Sequence, residues 1–294
     1  MSVRVTGAVA PLAVAVIFAS AFAVNVGVQA QAAPPQPAAG QGRPGGAAQG
    51  GGGGRGRGRG AAPLPPGRTA APVDLTGTWV SVVTEDWEWR MVTPKKGDYA
   101  SVPLNPAGVQ AANAWDPAQD GRCEAYGVGG IMRMPTRLKI SWQDDLTLKI
   151  ETDAGQQTRL LHFTPQGGNT ATAIAQASRT LQGYSVADWQ RSAPGFDAFL
   201  ERGGGAPQPQ TWGSLQVVTT NMLPGWLRRN GVPYGQNATI TETFIRIANK
   251  EAGDYLVVRT VVDDPQYLQR TFITSSNFKK EPNDAKWSPM PCKT

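Results

Sequence analysis

The segment LKISWQDDLTLKI, residues 138–150, decides the fold class, because apolar and polar residues alternate in both of its halves. Every second residue from Leu138 to Trp142 is apolar, and the alternation resumes after a polar turn at residues 143–145. In a β-strand, such alternation places the apolar side chains on one face. The segment therefore predicts an antiparallel hairpin with one buried face.

The same alternation, interrupted by Gly, Asp, Asn and Pro, recurs from Asp74 onward and predicts roughly ten strands. Besides the hairpin, the predicted strands are Gly77–Val83, Trp87–Val92, Thr158–Phe163, Thr170–Gln176, Leu215–Thr220, Ala238–Ile247, Tyr255–Val262 and Arg270–Phe278. Strands at this spacing indicate a single all-β domain over residues 73–294. The expected fold is an antiparallel barrel with a few short helices, and a β-sandwich is the alternative.

Helical signals are few and short. Asn105 followed by Pro106 predicts an N-cap and the first residue of a helix that ends before Asp116. Short helical turns are also predicted at Ser185–Trp189 and Pro194–Leu200. None of these segments changes the expected fold class.

The positive charge of the chain is concentrated at its N-terminal end. Six of the 28 Lys and Arg residues lie in residues 1–72, which contain no acidic residue, so residues 73–294 carry 22 basic and 22 acidic residues. A domain that binds nucleic acid needs clustered Lys and Arg to neutralise phosphates. We therefore expect no nucleic-acid partner.

The counts of histidine and cysteine exclude several kinds of metal site. One histidine, His162, cannot form a two-histidine zinc site, and two cysteines cannot form a cysteine zinc cluster or hold an iron–sulfur centre. We expect neither a metal nor another cofactor. His162 lies among apolar residues of a predicted strand, and we interpret it as a strand residue rather than a catalytic base.

The first 30 residues have the pattern of a signal peptide. Arg4 precedes an apolar run from Ala8 to Val24, and Val28-Gln29-Ala30 has the small-x-small pattern of a cleavage site. We predict a cleaved signal and a periplasmic or extracellular location, with no transmembrane segment after cleavage. An uncleaved membrane anchor is the alternative interpretation.

Residues 31–72 are rich in Gly, Pro, Ala and Arg, including an Arg-Gly alternation at residues 55–60. Such a composition buries too little apolar surface to offset the entropy lost on ordering. We predict a disordered linker that acts as a flexible tether with weak affinity for anionic envelope polymers.

Export also bears on the two cysteines, because exported proteins meet an oxidising environment. Cys123 and Cys292 lie near the two ends of the predicted domain. We therefore predict that they form a disulfide that attaches the C-terminal end of the chain to the body of the domain.

Several short motifs are distributed over residues 74–282. They are Trp115-Asp116-Pro117, Cys123, Met132–Pro135, Arg159, Gly183-Tyr184-Ser185, Trp189, Asn230-Gly231-Val232-Pro233, Thr241–Arg246 and Asp264-Pro265-Gln266-Tyr267. In these motifs the chain resembles a large family of exported bacterial proteins, common in acidobacterial genomes, whose function is not established. The resemblance extends the expectation of export but assigns no activity.

The chain departs from that family at two aromatic positions. Tyr184 and Tyr234 stand where many members carry histidine, so a role that needs imidazole there is lost, whereas an aromatic plane or a hydrogen-bond donor is retained. A weaker resemblance is carried by Gly77-Thr78-Trp79, which is similar to the first strand of lipocalin-type barrels. That resemblance implies a tryptophan that closes one end of the barrel and packs under an arginine from a late strand.

Aromatic residues supply most of the candidate ligand-binding positions, because all nine tryptophans lie in the predicted domain. Most are expected in the core, since large aromatic side chains dominate the packing of such domains. If Trp87 and Trp89 lie on one strand, they point to the same face. The candidate ligand-binding residues are Trp79, Trp87, Trp89, Arg90, Arg133, Tyr184, Trp226 and Tyr234.

These residues favour an exported, non-catalytic protein that binds a small apolar or aromatic-compatible ligand in the cavity of a barrel or at its mouth. One alternative is a carbohydrate-recognition or hydrolase-type envelope protein that uses tryptophans together with Glu85, Asp86 and Glu88. A purely structural envelope protein is another. The expected partner is accordingly a small molecule or an envelope polysaccharide.

Overall fold

The computed structural model describes residues 67–119, 123–165, 167–191 and 213–292. The predicted signal peptide, the predicted linker up to residue 66, the predicted helical turn at 194–200 and Trp212 lie outside these residues.

Strands account for most of the regular structure that is described. The strands are β1 Gly77–Val82, β2 Arg137–Asp144, β3 Thr147–Thr152, β4 Ala154–Gly155, β5 Thr158–Phe163, β6 Tyr184–Gln190, β7 Ser214–Thr220, β8 Gly225–Arg228, β9 Val232–Tyr234, β10 Thr239–Ile247, β11 Tyr255–Asp263, β12 Phe272–Glu281 and β13 Met290–Pro291. The α-helices are α1 Trp87–Arg90, α2 Pro106–Asn113 and α3 Thr170–Gln176. Four 3-10 turns lie at Gly67–Ala70, Pro117–Gln119, Cys123–Tyr126 and Ile131–Arg133.

Nine strands close into a barrel in the order β1, β2, β3, β5, β6, β7, β10, β11 and β12, with β12 paired back to β1. The all-β barrel predicted from the sequence is confirmed, and the alternative sandwich is not formed. Neighbouring strands are antiparallel except β5 and β6, which are parallel. Parallel neighbours need a long crossover connection, usually a helix. Residues 164–183 provide it and contain α3.

The hairpin at residues 138–150 forms as β2 and β3, with a two-residue turn at Asp145 and Leu146. Leu138 and Ile140 of β2 point into the barrel, as their alternation predicts. The predicted N-cap is also present, because the side chain of Asn105 accepts a hydrogen bond from the backbone N–H of Gly108 at 2.9 Å. Alternation and capping chemistry thus determine these elements locally.

Three segments differ from the prediction. Residues 87–90 and 170–176 are helices α1 and α3 rather than strands, and residues 185–189 belong to strand β6 rather than to a helical turn. Trp87 and Trp89 therefore do not share the face of a strand: Trp87 is 58% exposed, whereas Trp89 is half-buried.

Two clusters of buried apolar residues form the core. One fills the barrel with inward-facing side chains from its strands, among them Trp79, Leu161, Phe244 and Phe278. The other lies where α2, β8 and β9 pack against residues of β10, β11 and β12. The lumen of the barrel is therefore occupied by the protein's own side chains, in keeping with the close packing of protein interiors.

An ion pair lies inside the barrel between the two apolar clusters. Both Arg159 of β5 and Glu242 of β10 are fully buried, and the guanidinium binds the carboxylate through two nitrogens, with Nη1 3.1 Å from Oε1. On β10, Glu242 stands between Ile240 of one cluster and Phe244 of the other. The two-point geometry compensates part of the cost of removing both charges from water.

Trp79 lies inside the barrel, where its indole N–H donates to the carbonyl of Leu75 at 3.0 Å. The ammonium of Lys280, on the last barrel strand, lies 5.3 Å from the centre of the indole ring. The lipocalin-type resemblance implies an arginine at such a position, and here the cation is a lysine.

The predicted disulfide between Cys123 and Cys292 is formed, with a Cα–Cα distance of 5.3 Å and a sequence separation of 169 residues. Next to it, β13 pairs in parallel with β4. At the other end of the domain, the 3-10 turn Gly67–Ala70 contacts the barrel, because the indole N–H of Trp189 donates to the carbonyl of Gly67 at 2.9 Å. The described domain thus includes residues before the predicted boundary at 73.

Candidate functional site

A cavity of about 150 Å³ lies on the outer side of the barrel, beside the crossover that the parallel pair requires. This outer pocket is formed by β5, β6 and α3, and its lining includes His162, Phe163, Pro165, Ala173, Tyr184 and Val186. Asn169 caps α3 by accepting a hydrogen bond from the backbone N–H of Thr172. The pocket is therefore a consequence of chain topology: a connection must cross this face, and its helix α3 leaves a gap against the strands.

Two stacked aromatic rings form part of the wall of the outer pocket. The ring centres of His162 and Tyr184 are 4.7 Å apart, and their planes differ by 19°. Behind them, Phe163 packs against Trp142 and Trp189, with ring centres 5.6 Å and 5.7 Å away respectively. The wall is thus aromatic and apolar, and it is supported by the core of the barrel.

The polar groups of the outer pocket carry little charge. Burial lowers the pKa of His162, and the nearby carboxylate of Asp144 opposes this effect in part. The imidazole is therefore neutral at pH 7. The hydroxyl groups of Thr164 and Thr170 hydrogen-bond each other at 2.6 Å. Such a surface suits an uncharged ring with a few polar substituents.

A second group of predicted site residues meets at another place. Trp89, Arg90 and Arg133 lie around a cavity of about 10 Å³ together with Arg228 at the end of β8. We call Arg90, Arg133 and Arg228 the arginine cluster. Their exposed fractions are only 2%, 6% and 4%. Fully buried charges are uncommon in proteins unless they are paired.

Each guanidinium of the arginine cluster is held by a few contacts. Arg90 donates from Nε to the carbonyl of Arg133 at 2.9 Å and from Nη1 to Glu85 at 3.2 Å. Arg133 donates from Nη2 to Asp86 at 2.9 Å. Arg228 donates from Nη2 to the hydroxyl of Ser101 at 2.9 Å.

Burial and like charge also act on the cluster. Burial, together with the charge of Arg133, lowers the pKa of Arg228 to about 10 and lowers that of Arg90. The guanidinium of Arg228 lies over the indole of Trp89, 4.6 Å from the ring centre. Arg228 remains protonated at pH 7, since its pKa is still well above that pH.

Two of the three carboxylates proposed for the hydrolase alternative, Glu85 and Asp86, are used in these pairs, whereas Glu88 is exposed on α1. Glu85 binds Arg90 and also accepts from the amide of Asn277 at 3.1 Å, and Asp86 binds Arg133. Each of the two carboxylates therefore neutralises a buried arginine. This arrangement favours a structural role for them over an acid and base pair.

The remaining predicted site residues lie apart from the two cavities. Trp226 is half-buried and contacts Trp115 edge to face, with ring centres 6.4 Å apart. Tyr234 is fully buried in the second apolar cluster, and burial raises the pKa of its hydroxyl. Trp79 lies in the lumen and Trp87 at the surface. Four of the eight candidates therefore line neither cavity. Of the other four, Tyr184 lines the outer pocket, and the arginine cavity is lined by Trp89, Arg90 and Arg133.

Some site residues were not anticipated. Arg228 is followed by Arg229 in the sequence, and such a basic pair ordinarily indicates an exposed surface. The sequence predicts a strand at Ala173 and therefore does not indicate its position beside His162 in the outer pocket. Neither position carries a sequence signal for a binding site.

Among the described residues, no group of three or more His, Cys, Asp or Glu side chains is arranged to hold a metal ion. In the same part of the chain, no helix is both long and apolar enough to cross a membrane. Comparison of the chain with protein-family models, curated proteins and solved structures finds no match.

Proposed function

We propose that this protein is an exported, non-catalytic β-barrel protein that binds a small apolar or aromatic ligand in the outer pocket. The observation that carries the proposal is the cavity of about 150 Å³ against the stacked rings of His162 and Tyr184. An apolar cavity of this order is large enough for one benzene-sized ring. Because side chains of the protein fill the lumen, we propose the outer face of the barrel, rather than its inside, as the binding position.

The chemistry of the walls supports this ligand class. Phe163, Pro165, Ala173 and Val186 give apolar contact, and aromatic rings favour offset or edge-to-face contact with the rings of the protein. Tyr184 occupies the position where the proposed relatives carry histidine, so an aromatic plane is retained there. The hydroxyl of Thr170 offers one polar contact to a substituent such as a phenol.

Export is supported by the disulfide of Cys123 and Cys292, because such bonds persist in oxidising compartments. The signal-peptide pattern of residues 1–30 supports the same conclusion. Detection of the protein in the periplasmic or medium fraction, with residues 1–30 removed, tests this part of the proposal.

The single histidine gives a direct test of ligand binding. His162 contributes the only imidazole signals of the chain in an NMR spectrum, and it lines the outer pocket. We expect phenol, benzene or indole to shift these signals in a saturable manner through ring currents. Indole, which exceeds one ring in size, should bind more weakly than phenol and benzene, because the cavity limits the volume of the ligand.

Two alanines of α3 provide a matched pair of variants. Ala173 lines the outer pocket, whereas Ala171 is exposed. Ala173→Phe should fill the cavity and weaken ring binding at least tenfold, and Ala171→Phe should leave it within twofold. Equal affinities of the two variants, or no saturable shift with any of the three ligands, would exclude the outer pocket as the binding site.

A further inference from the structure

We propose that the arginine cluster is a second binding site, specific for a carboxylate group. The proposal is independent of the outer pocket, which lies on other elements and has uncharged walls. It rests on three observations: hydrogen-bond donors without partners, the balance of charge, and the size of the cavity that these donors surround.

Four guanidinium nitrogens of the cluster are buried and have no hydrogen-bond partner among the described residues. They are Nη2 of Arg90, Nη1 of Arg133, and Nε and Nη1 of Arg228. Leaving a buried donor unpaired costs roughly 1–3 kcal/mol, and more for a charged group. Such groups are rare in folded proteins, and each calls for a partner that has not been identified. Three side chains from separate elements share this property around one cavity.

The local charge favours an anion. The arginine cluster and Arg229, which also lines the cavity, contribute four positive charges. The carboxylates that pair with or act on the cluster, Glu85, Asp86 and Asp98, contribute three negative charges. Arg228 in particular is held by a hydroxyl and an indole ring rather than by a carboxylate. One further negative charge would balance the group.

The size of the cavity selects the kind of anion. Its volume of about 10 Å³ is close to the smallest that holds one water-sized atom. A carboxylate can place one oxygen in this space and keep the rest of the ligand outside. A tetrahedral phosphate group is larger and carries more charge than the cluster leaves unbalanced.

The cavity is built rather than accidental. Arg90, Arg133 and Arg228 come from α1, the 3-10 turn Ile131–Arg133 and β8, and they are fixed by the bonds described above. Gly130 forms part of the wall, and a Cβ atom at this position would lie 2.6 Å from the carbonyl oxygen of Trp226. Any side chain at residue 130 would therefore displace the backbone that supports the cavity.

The test uses the full chain labelled with ¹⁵N-arginine and titrated with sodium formate and sodium acetate at constant ionic strength. We expect saturable shifts of a small set of arginine Nε–H signals. Arg228→Met should weaken acetate binding at least tenfold. Arg228→Lys keeps the charge but not the fork of donors, so its affinity for acetate should lie between those of the wild type and Arg228→Met. Arg259→Met removes an exposed arginine of β11 and should change the affinity less than twofold.

The anion series keeps the test decisive if Arg228→Met does not fold, because it needs only the wild-type chain. Equal responses to formate, acetate, chloride and phosphate would show a general salt effect with hydrated guanidinium groups, and this would overturn the proposal. Tighter binding of inorganic phosphate than of acetate would overturn the assignment to a carboxylate. Ala173→Phe should leave acetate binding unchanged, which separates this site from the outer pocket.

Discussion

Arg159 and Glu242 show how a single pair of residues contributes to the barrel. Both side chains are fully buried, and they lie between two apolar clusters in which neither charge finds water. Removing one partner leaves a buried charge uncompensated, at a cost of about 3–5 kcal/mol, whereas replacing both by apolar residues is often neutral or stabilising.

We therefore expect Glu242→Leu to lower the free energy of unfolding by about 3–5 kcal/mol and the double variant Arg159→Met with Glu242→Leu to recover most of that loss. Urea unfolding of the wild type, both single variants and the double variant completes the cycle. If the losses of the two single variants simply add in the double variant, the ion pair does not couple these residues.

His162, which lines the outer pocket, makes the stability of the folded protein depend on pH. Burial lowers its pKa in the folded protein, whereas the unfolded chain keeps a value of about 6.5. As the pH falls below that value, the unfolded chain binds a proton before the folded chain does. Protonation then favours unfolding, so the contribution of His162 to stability is present above pH 6.5 and is lost toward the lower folded pKa.

We expect the stability of the wild type to fall more between pH 7.5 and pH 5 than that of His162→Phe, which keeps a ring beside Tyr184. The carboxylates titrate in both proteins, so the difference between the two curves isolates the histidine. An NMR titration of the single imidazole measures the folded pKa directly. A midpoint above 6.5 would reverse the sign of the effect and contradict this account.

At the scale of elements, strands with large apolar residues facing inward were predictable. β2, β3, β5, β7, β10, β11 and β12 follow their alternation closely. β6 was missed because its inward residues are small or polar: Ser185 faces the interior and hydrogen-bonds to Thr219 at 2.7 Å, followed by Ala187. Pairing between strands, rather than local hydrophobicity, determines this element.

The predictions of strands at α1 and α3 were wrong for different reasons. α1 has four residues, too few for a period of 3.6 to be distinguished from a period of two. The sequence of α3, TATAIAQ, alternates Thr and Ala like a strand, yet Asn169 caps it and alanine favours a helix. Its placement follows from the parallel pairing of β5 and β6, a long-range feature that alternation does not reveal.

At the scale of the whole molecule, the candidate sites also depend on long-range packing that local sequence patterns do not reveal. The sequence indicated Arg90, Arg133 and Tyr184 as single residues, but not which of them meet. Arg90 and Arg133 come together with Arg228 because segments 43 residues apart and a distant hairpin strand pack at one place. Tyr184 meets His162 only through the crossover. Such groupings depend on topology and cannot be read from spacing.

The disulfide acts on the whole molecule, because it joins residue 123 to the C-terminal end of the described chain. In the chain-entropy model, closing a loop of this length stabilises the folded state by up to about 5 kcal/mol. The segment that begins at Cys123 continues through two 3-10 turns to Arg133, so the bond also restrains one member of the arginine cluster. Loss of the bond should therefore affect both global stability and that segment.

We expect Cys123→Ser with Cys292→Ser to lower the free energy of unfolding by roughly 3–5 kcal/mol in urea, with little change in the barrel's circular dichroism spectrum. Each single serine variant leaves one free thiol and should lose the same amount, because either substitution opens the loop. Titration of the unfolded, unreduced wild type should find no free thiol. Two free thiols, or a double variant as stable as the wild type, would contradict this prediction and show that non-covalent packing holds the C-terminal segment. In that case β13 stays paired with β4 through backbone contacts. One of these contacts is the hydrogen bond from the N–H of Met290 to the carbonyl of Asp153 at 2.8 Å.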